Sequence, residues 1–121
     1  MPKVMLIEDD RTMLSLLQTL LKMEGFEVAY LERDEDSDAI LCTMRLEKPA
    51  LVLVDVNLRK MSGFDLLHAI RQDAELKPVR VLMSSGMDFG MRSYEEGADG
   101  FILKPYMPDE LIQKIRQTIG A

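Results

Sequence analysis

Four short runs of consecutive apolar residues each lead into polar side chains. The runs start at Val4, Leu51, Val81 and Phe101, and they lead into an acidic trio, an aspartate, a pair of serines and a lysine, respectively. Apolar runs without alternation are typical of strands that helices cover on both faces. Because helical spacing of apolar residues fills the intervals between the runs, the chain predicts an α/β fold with a parallel sheet and crossover helices.

The intervals between the runs predict five strand-helix units in one domain. Apolar residues from Met13 to Leu21 recur at spacings of three and four, and Gly25 follows as a helix stop. A chain of 121 residues has the usual size of a single domain, so one domain over residues 1–121 is expected. The other expected elements are a strand over residues 28–31, a helix that begins at Ser37 or Asp38 and ends before Pro49, a helix after Gly63, a short or irregular helix between Ser85 and Gly97, and a last helix from Pro108.

The composition argues against several kinds of partner. Acidic residues outnumber Lys and Arg by 21 to 15, and the formal charge of -6 disfavours direct contact with nucleic acid. No apolar stretch approaches the roughly 20 residues that span a bilayer, and the first apolar run is too short for a signal peptide. We therefore expect a cytoplasmic protein that binds neither a membrane nor nucleic acid directly.

Cysteine and histidine each occur once in the chain. Cys42 lies among Ile40, Leu41 and Met44, so it cannot form an internal disulfide and is predicted to be a small buried side chain. The single histidine, His68, excludes a histidine metal cluster and is predicted to lie partly exposed on a helix. Neither residue predicts redox or metal chemistry.

The polar residues at the strand ends each have an ordinary explanation. The acidic trio at residues 8–10 could cap a helix, and Ser84 could simply end a strand. Lys104 could form a structural ion pair with Asp55. Together, however, these residues would place carboxylates, a hydroxyl and an ammonium at the carboxyl edge of one sheet, where open α/β sheets bind ligands. Adjacent carboxylates repel one another and suit Mg²⁺, so the set predicts phosphoryl transfer, which requires an oxygen nucleophile, a metal and further donors.

The same strand ends carry a family resemblance that covers nearly the whole chain. The chain resembles the receiver domain of two-component response regulators in an ordered set of motifs: LIEDD at residues 6–10, LVD at residues 53–55 with Gly63 eight residues later, LMSS at residues 82–85, GADG at residues 97–100, and Lys104-Pro105. One motif alone would be weak, but the ordered set is highly specific. The resemblance implies a doubly wound parallel sheet of five strands in the order 2-1-3-4-5, as in flavodoxin-like and CheY-like folds.

The resemblance implies that Asp55 is the phosphoacceptor. A sensor histidine kinase or a histidine phosphotransfer protein would supply the phosphoryl group, and the product would be an acyl phosphate. Asp9 and Asp55 would bind Mg²⁺ directly, and the main-chain carbonyl of Asn57 would add a third protein ligand. Glu8 would act on the ion mainly through a coordinated water.

The resemblance further implies a conformational switch. Lys104 would pair with Asp55 and later with the phosphoryl oxygens, and its peptide bond to Pro105 is expected to be cis. The Ser84 hydroxyl would move to the phosphoryl group, and Phe101 would turn inward into the space that it leaves. Phosphorylation would thereby reshape the face of the fourth helix, fifth strand and fifth helix, which a downstream protein or an output domain outside this chain would read.

Some positions depart from the usual pattern of such domains. Arg59 stands where proline is frequent, and Phe101 stands where tyrosine is commoner. The interval from Ser84 to Lys104 is also shorter than usual, and it contains the expected fourth helix. These departures affect the output face more than the predicted phosphoryl site.

Two other functions remain open on the same sheet. A Mg²⁺-dependent phosphatase of the haloacid dehalogenase type also uses an aspartate nucleophile, but Glu8 stands where that family has its nucleophile, and no cap segment is evident. An unphosphorylated interaction module would need none of Asp9, Asp55 and Lys104. A nucleotide-binding site is excluded because the first strand-to-helix turn, residues 8–12, contains no glycine.

Overall fold

The computed structural model describes residues 2–120, in which strands and helices alternate along the chain. This alternation confirms the predicted α/β class. The strands are β1 (Lys3–Ile7), β2 (Glu27–Tyr30), β3 (Leu51–Asp55), β4 (Arg80–Ser85) and β5 (Gly100–Leu103). The helices are α1 (Arg11–Met23), α2 (Ser37–Glu47), α3 (Gly63–Gln72), α4 (Gly90–Glu95) and α5 (Pro108–Gly120).

The strands form one parallel sheet in the order β2-β1-β3-β4-β5, which confirms the predicted topology. Parallel neighbours need crossover connections, and the helices between the strands supply them. In this register Asp55 lies beside Ser84, and Ser85 lies beside Leu103. The strand order therefore brings the carboxyl ends of β1, β3, β4 and β5 next to one another.

Alternate residues of each strand pack on opposite faces of the sheet. On β3, Val52 and Val54 join the core cluster under α2 and α3, whereas Leu51 and Leu53 join the cluster under α1 and α5. All of these side chains are at most 3% exposed. Because helices cover both faces, the strands need apolar residues at successive positions, which explains the runs without alternation.

Element boundaries differ slightly from the prediction. Strand β2 begins and ends one residue earlier than expected. The N-cap of α2 is Asp36, which precedes both predicted candidates and accepts a hydrogen bond from the Ala39 N–H at 2.9 Å. Three adjacent residues with capping side chains made the position ambiguous. Helix α4 has only 6 residues, which confirms the short helix that its glycine-rich surroundings predicted. It has no side-chain cap hydrogen bond.

The helix surfaces correct one prediction and confirm another. The prediction that Cys42 is buried is wrong, because Cys42 is exposed. Leu41 and Met44 pack into the core from the same helix, and Cys42 lies beside their stripe rather than on it. His68 is exposed as predicted, and its Nε2 lies 3.0 Å from Glu96 Oε1. Within the part of the chain that the structure describes, no helix is long and apolar enough to cross a membrane.

Gly63 begins α3 in close contact with the end of β3. Its N–H donates to the Val56 carbonyl at 2.7 Å, which closes the β3–α3 loop. A Cβ at this position would lie 2.4 Å from the Asp55 carbonyl oxygen and 2.8 Å from the Val56 Cα. Both neighbours are main-chain atoms that cannot rotate away. A glycine is therefore needed for the close approach of α3 to Asp55.

Gly63→Ala is predicted to destabilise the fold by about 1–3 kcal/mol, since the added methyl group forces a main-chain shift. Gly86→Ala is the matched control, because a Cβ on Gly86 would meet nothing within 4 Å. The control should stay within about 0.5 kcal/mol of wild type. Urea unfolding measures both changes, and equal stability of the two variants would contradict the assigned role of Gly63.

Candidate functional site

The carboxyl ends of three strands bring two carboxylates and one ammonium together. Glu8 follows β1, Asp55 ends β3, and Lys104 follows β5. Lys104 Nζ donates to Glu8 Oε1 at 2.9 Å and to Asp55 Oδ2 at 3.1 Å. One ammonium thus bridges carboxylates that are far apart in the sequence.

The contacts of Lys104 are partly removed from solvent. The side chains of Glu8 and Asp55 are 6% and 11% exposed, and that of Lys104 is 23% exposed. The Lys104 N–H donates to the Ser85 carbonyl at 2.8 Å, which fixes the main chain beside β4. The Lys104-Pro105 peptide bond is cis, as predicted. Water screens these ion pairs less than surface pairs, so the attraction between the charges is stronger than in an ordinary surface salt bridge, although burial of the charges opposes it.

Both carboxylate oxygens of Asp55 have hydrogen-bond donors. Oδ2 faces Lys104, and Oδ1 accepts the Asn57 N–H at 3.1 Å. Ser84 lies beside Asp55 in the sheet, and its carbonyl accepts the Val56 N–H at 2.9 Å. The Ser84 side chain is 2% exposed. The acidic and hydroxyl side chains that the sequence singled out on β3 and β4 are therefore neighbours.

The acidic trio divides among three different partners. Glu8 binds Lys104, as described above. Asp9 Oδ2 accepts a hydrogen bond from the main-chain N–H of Arg59. Asp10 is the N-cap of α1 and accepts the Thr12 N–H at 3.0 Å. The capping explanation is thus correct for Asp10 alone.

The electrostatics of the site show an excess of desolvated negative charge. Burial raises the pKa of Glu8, and the charge of Asp55 adds to this against the lowering effect of Lys104. Burial also raises the pKa of Asp9, and Asp34 reinforces it while the Arg59 N–H opposes it. Burial lowers the pKa of Lys104, but its bonds to Glu8 and Asp55 outweigh burial, so the Lys104 pKa is raised. The ammonium stays charged, and the carboxylates would gain from a further cation.

The oxygen donors fit Mg²⁺ rather than a metal that needs a dense ligand cage. Within residues 2–120, no group of three or more His, Cys, Asp or Glu side chains is arranged around a common point. Mg²⁺ takes one or two carboxylates and keeps several waters, so it does not require such a group. By the prediction, Asp9 and Asp55 would supply the carboxylates, and oxygen ligands of this kind suit a hard cation. The ligand set itself stays a prediction.

Phe101 lies inward in this structure. Its side chain is 9% exposed and joins the core cluster under α2 and α3. A Cβ on Gly90, the first residue of α4, would lie 3.6 Å from the Phe101 ring. The ring therefore packs against the start of α4. The expected movement of Phe101 on phosphorylation stays a prediction.

Three residues beside the site were not assigned a role by the sequence. The Arg59 N–H and the Asp34 carboxylate both act on Asp9, and Asp34 comes from the acidic loop before α2. The Tyr106 hydroxyl is buried without a hydrogen-bond partner in the described chain. Burial, and then the charges of Glu8 and Asp55, raise the Tyr106 pKa. The non-proline residue at position 59 was the only one of these signals visible in the sequence.

The chain belongs to the response regulator receiver domain family, whose sequence model matches residues 4–116. The DNA-binding response regulator MtrA of Mycobacterium tuberculosis H37Rv is 30% identical over 117 residues, which are 97% of this chain and 50% of that protein. The transcriptional regulatory protein CpxR of Escherichia coli K12 is 37% identical over 120 residues, which are 98% of this chain and 50% of that protein. The chain thus spans about half the length of these curated relatives.

Solved structures share the same architecture. The chemotaxis response regulator CheY4 of Vibrio cholerae has a TM-score of 0.86 at 23% identity, with 98% of each chain covered. The CheY-like receiver domain protein of Methanospirillum hungatei has a TM-score of 0.85 at 27% identity, with 99% of this chain and 94% of that chain covered. The first likeness shows the fold alone, and the second agrees with the family assignment. The protein is therefore a receiver domain of the kind found in two-component systems.

Glu8→Gln is predicted to stabilise the metal-free protein at neutral pH. The raised Glu8 pKa means that the folded state holds the proton more tightly than the unfolded state. Wild type therefore loses stability as the pH rises from 4.5, the ordinary pKa of glutamate, through the raised pKa of Glu8 in the folded state. The loss is complete above that folded-state pKa. The uncharged amide avoids the loss.

Urea unfolding in EDTA, from about pH 4 to about pH 8, measures this effect. The advantage of Glu8→Gln over wild type should grow with pH. A difference that is constant across the range, or that shrinks with pH, would contradict the raised pKa.

Proposed function

We propose that this chain is a phosphoacceptor switch and that Asp55 receives the phosphoryl group. The donor is a sensor histidine kinase or a histidine phosphotransfer protein. The single observation that carries the proposal is the double contact of Lys104 with Glu8 and Asp55. This contact supports a site for a reaction that adds negative charge at Asp55, because the Lys104 ammonium is close enough to form an ion pair with the added group.

The proposed reaction transfers one phosphoryl group between two proteins. An oxygen of the Asp55 carboxylate attacks the phosphorus of a phosphohistidine, the phosphorus–nitrogen bond breaks, and the electron pair leaves with the imidazole, which takes up a proton. The product is an acyl phosphate. Lys104 Nζ, at 3.1 Å from Asp55 Oδ2, is near enough to pair with the phosphoryl oxygens. Fixed donors of this kind stabilise charge that develops in the transition state.

We infer Mg²⁺ as the cofactor, with Asp9, Asp55 and the Asn57 carbonyl as ligands and Glu8 acting through a coordinated water. When bound, the ion supplies positive charge against the phosphoryl oxygens. Burial and the charge of Asp55 raise the pKa of Glu8, which supports a cation beside these two carboxylates. Burial and the neighbouring Asp34 raise the pKa of Asp9, so Asp9 would also gain from a cation. The Asn57 N–H bond to Asp55 Oδ1, at 3.1 Å, keeps the Asn57 main chain beside the carboxylate.

Ser84 and Phe101 are proposed to carry the change outward. Ser84 neighbours Asp55 in the sheet, so its hydroxyl needs only a short movement to reach a phosphoryl group. Phe101 packs against the start of α4, so a change in its rotamer alters the support of that helix. The face formed by α4, β5 and α5 is the proposed output surface. It would exchange between an inactive and an active conformation, and phosphorylation favours the active one only as far as that conformation binds the phosphoryl group more tightly.

The proposed partners are a phosphodonor protein and a downstream protein or output domain. MtrA is named a DNA-binding regulator and CpxR a transcriptional one, and both are about twice as long as this chain. The receiver domain itself carries an excess of acidic residues, 21 against 15, which opposes direct contact with a phosphate backbone. We therefore propose a cytoplasmic signalling switch rather than an enzyme with its own substrate.

Phosphorylation of Asp55 is tested with acetyl phosphate and Mg²⁺, followed by mass spectrometry of the intact protein and its peptides. Wild type should gain an acid-stable, base-labile adduct on the peptide that contains Asp55. Asp55→Asn should gain none, because an amide is a poor nucleophile toward phosphorus.

Asp65→Asn is the matched control, since Asp65 is an exposed aspartate in the first turn of α3. It should be phosphorylated like wild type. Absence of the adduct on wild type, or its persistence in Asp55→Asn, would refute the proposed function.

A further inference from the structure

The main-chain N–H of Arg59 joins two loops at the edge of the site. It donates to Asp9 Oδ2, so the loop between β3 and α3 is tied to the loop between β1 and α1. Proline at this position could not make the bond, because proline has no N–H. The bond is therefore a property of a chain with a non-proline residue at position 59.

The β3–α3 loop holds this N–H in a defined place. Asn57 and Ser62 form an isolated antiparallel bridge across the loop, and Gly63 closes it through the bond to the Val56 carbonyl at 2.7 Å. The Asn57 N–H binds Asp55 Oδ1 at one side. Arg59 lies between these fixed points. These bonds hold the loop on both sides of the Arg59 N–H that faces Asp9.

The Arg59 side chain contributes less than its main chain. Its guanidinium Nη1 lies 3.4 Å from Asp34 Oδ2, but the Arg59 side chain is 67% exposed. Exposed ion pairs of this kind are screened by water and stabilise little. The N–H bond to Asp9 persists whichever side chain residue 59 carries, provided that it is not proline. The two contributions can thus be separated by mutation.

The hydrogen bond leaves Asp9 able to bind a cation. A carboxylate has two oxygens and about four lone-pair sites, so Oδ2 can accept an N–H while the other oxygen meets a metal. Hydrogen bonds to ligating carboxylates orient them, and loss of such a partner typically weakens metal binding about 10- to 100-fold.

We propose that Arg59 is a positioning residue of the cation site, in which its main-chain N–H orients the Asp9 carboxylate for Mg²⁺. This inference rests on the proposed function, because it takes Asp9 as a metal ligand. Arg59 itself touches neither the phosphoryl group nor the ion. Its side chain is dispensable for the effect, and its N–H is required.

Mg²⁺ affinity, measured by calorimetric titration of the full chain in the absence of phosphodonor, tests the inference. Arg59→Ala keeps the N–H and should bind Mg²⁺ within about twofold of wild type. Arg59→Pro lacks the N–H and should bind about tenfold more weakly or worse. Urea unfolding of both variants checks that they fold.

A variant with a main-chain ester in place of the residue 58–59 amide removes the N–H without the ring of proline. It should weaken Mg²⁺ binding as Arg59→Pro does, and this agreement supports the inference. Wild-type Mg²⁺ affinity in the ester variant, or equal affinities of Arg59→Pro and Arg59→Ala, would overturn the positioning role of Arg59 and would leave the proposed metal site standing. If wild type itself fails to bind Mg²⁺, the metal part of the proposed function fails as well, so the two failures are distinguishable.

Discussion

The ammonium of Lys104 between the carboxylates of Glu8 and Asp55 is the interaction on which the site depends. Two like charges at 4 Å repel by roughly 4 kcal/mol at the effective dielectric near a protein surface. Glu8 and Asp55 are largely buried, so water can offset only part of this cost. The Lys104 ammonium offsets part of the repulsion between Glu8 and Asp55. It also leaves negative charge in excess, and the proposed binding of Mg²⁺ and the proposed pairing of Lys104 with a phosphoryl group both depend on that excess.

The sheet delivers this arrangement through its order and register. Glu8, Asp55 and Lys104 follow or end strands that would be far apart in an unfolded chain, and the order β2-β1-β3-β4-β5 makes their ends neighbours. The close approach at Gly63 sets the short loop that starts at Asp55, and this loop presents both Asn57 and Arg59 to the carboxylates. Packing, main-chain geometry and charge thus act on the same few residues. The lysine between two carboxylates does not by itself exclude the phosphatase or the plain interaction module. The phosphatase is disfavoured because Glu8 stands where that family has its nucleophile, and the match of the receiver-domain family to residues 4–116 favours the phosphoacceptor.

The sequence predicted the sheet and the meeting of the strand ends because both follow from patterns with a physical cause. Apolar runs without alternation indicate strands covered on both faces, and the polar residue after each run lies at a common edge. The burial of Cys42 was predicted wrongly, because neighbouring apolar residues do not say which side chain lies just off the buried stripe of α2. The sequence also did not predict which partner each residue of the acidic trio would bind. Asp10 as a cap could be anticipated, whereas the Arg59 bond to Asp9 depends on a loop conformation that no local pattern encodes.

The pKa of the Lys104 ammonium tests the central interaction most directly. It can be followed by ¹³C NMR of the lysine ε-carbon in metal-free protein, with Lys104 assigned through its substitution by arginine. The bridge predicts a Lys104 pKa above the ordinary value of 10.5, and a lower pKa when Glu8 is replaced by glutamine. A Lys104 pKa at or below 10.5 that is unaffected by the Glu8 substitution would contradict the bridge.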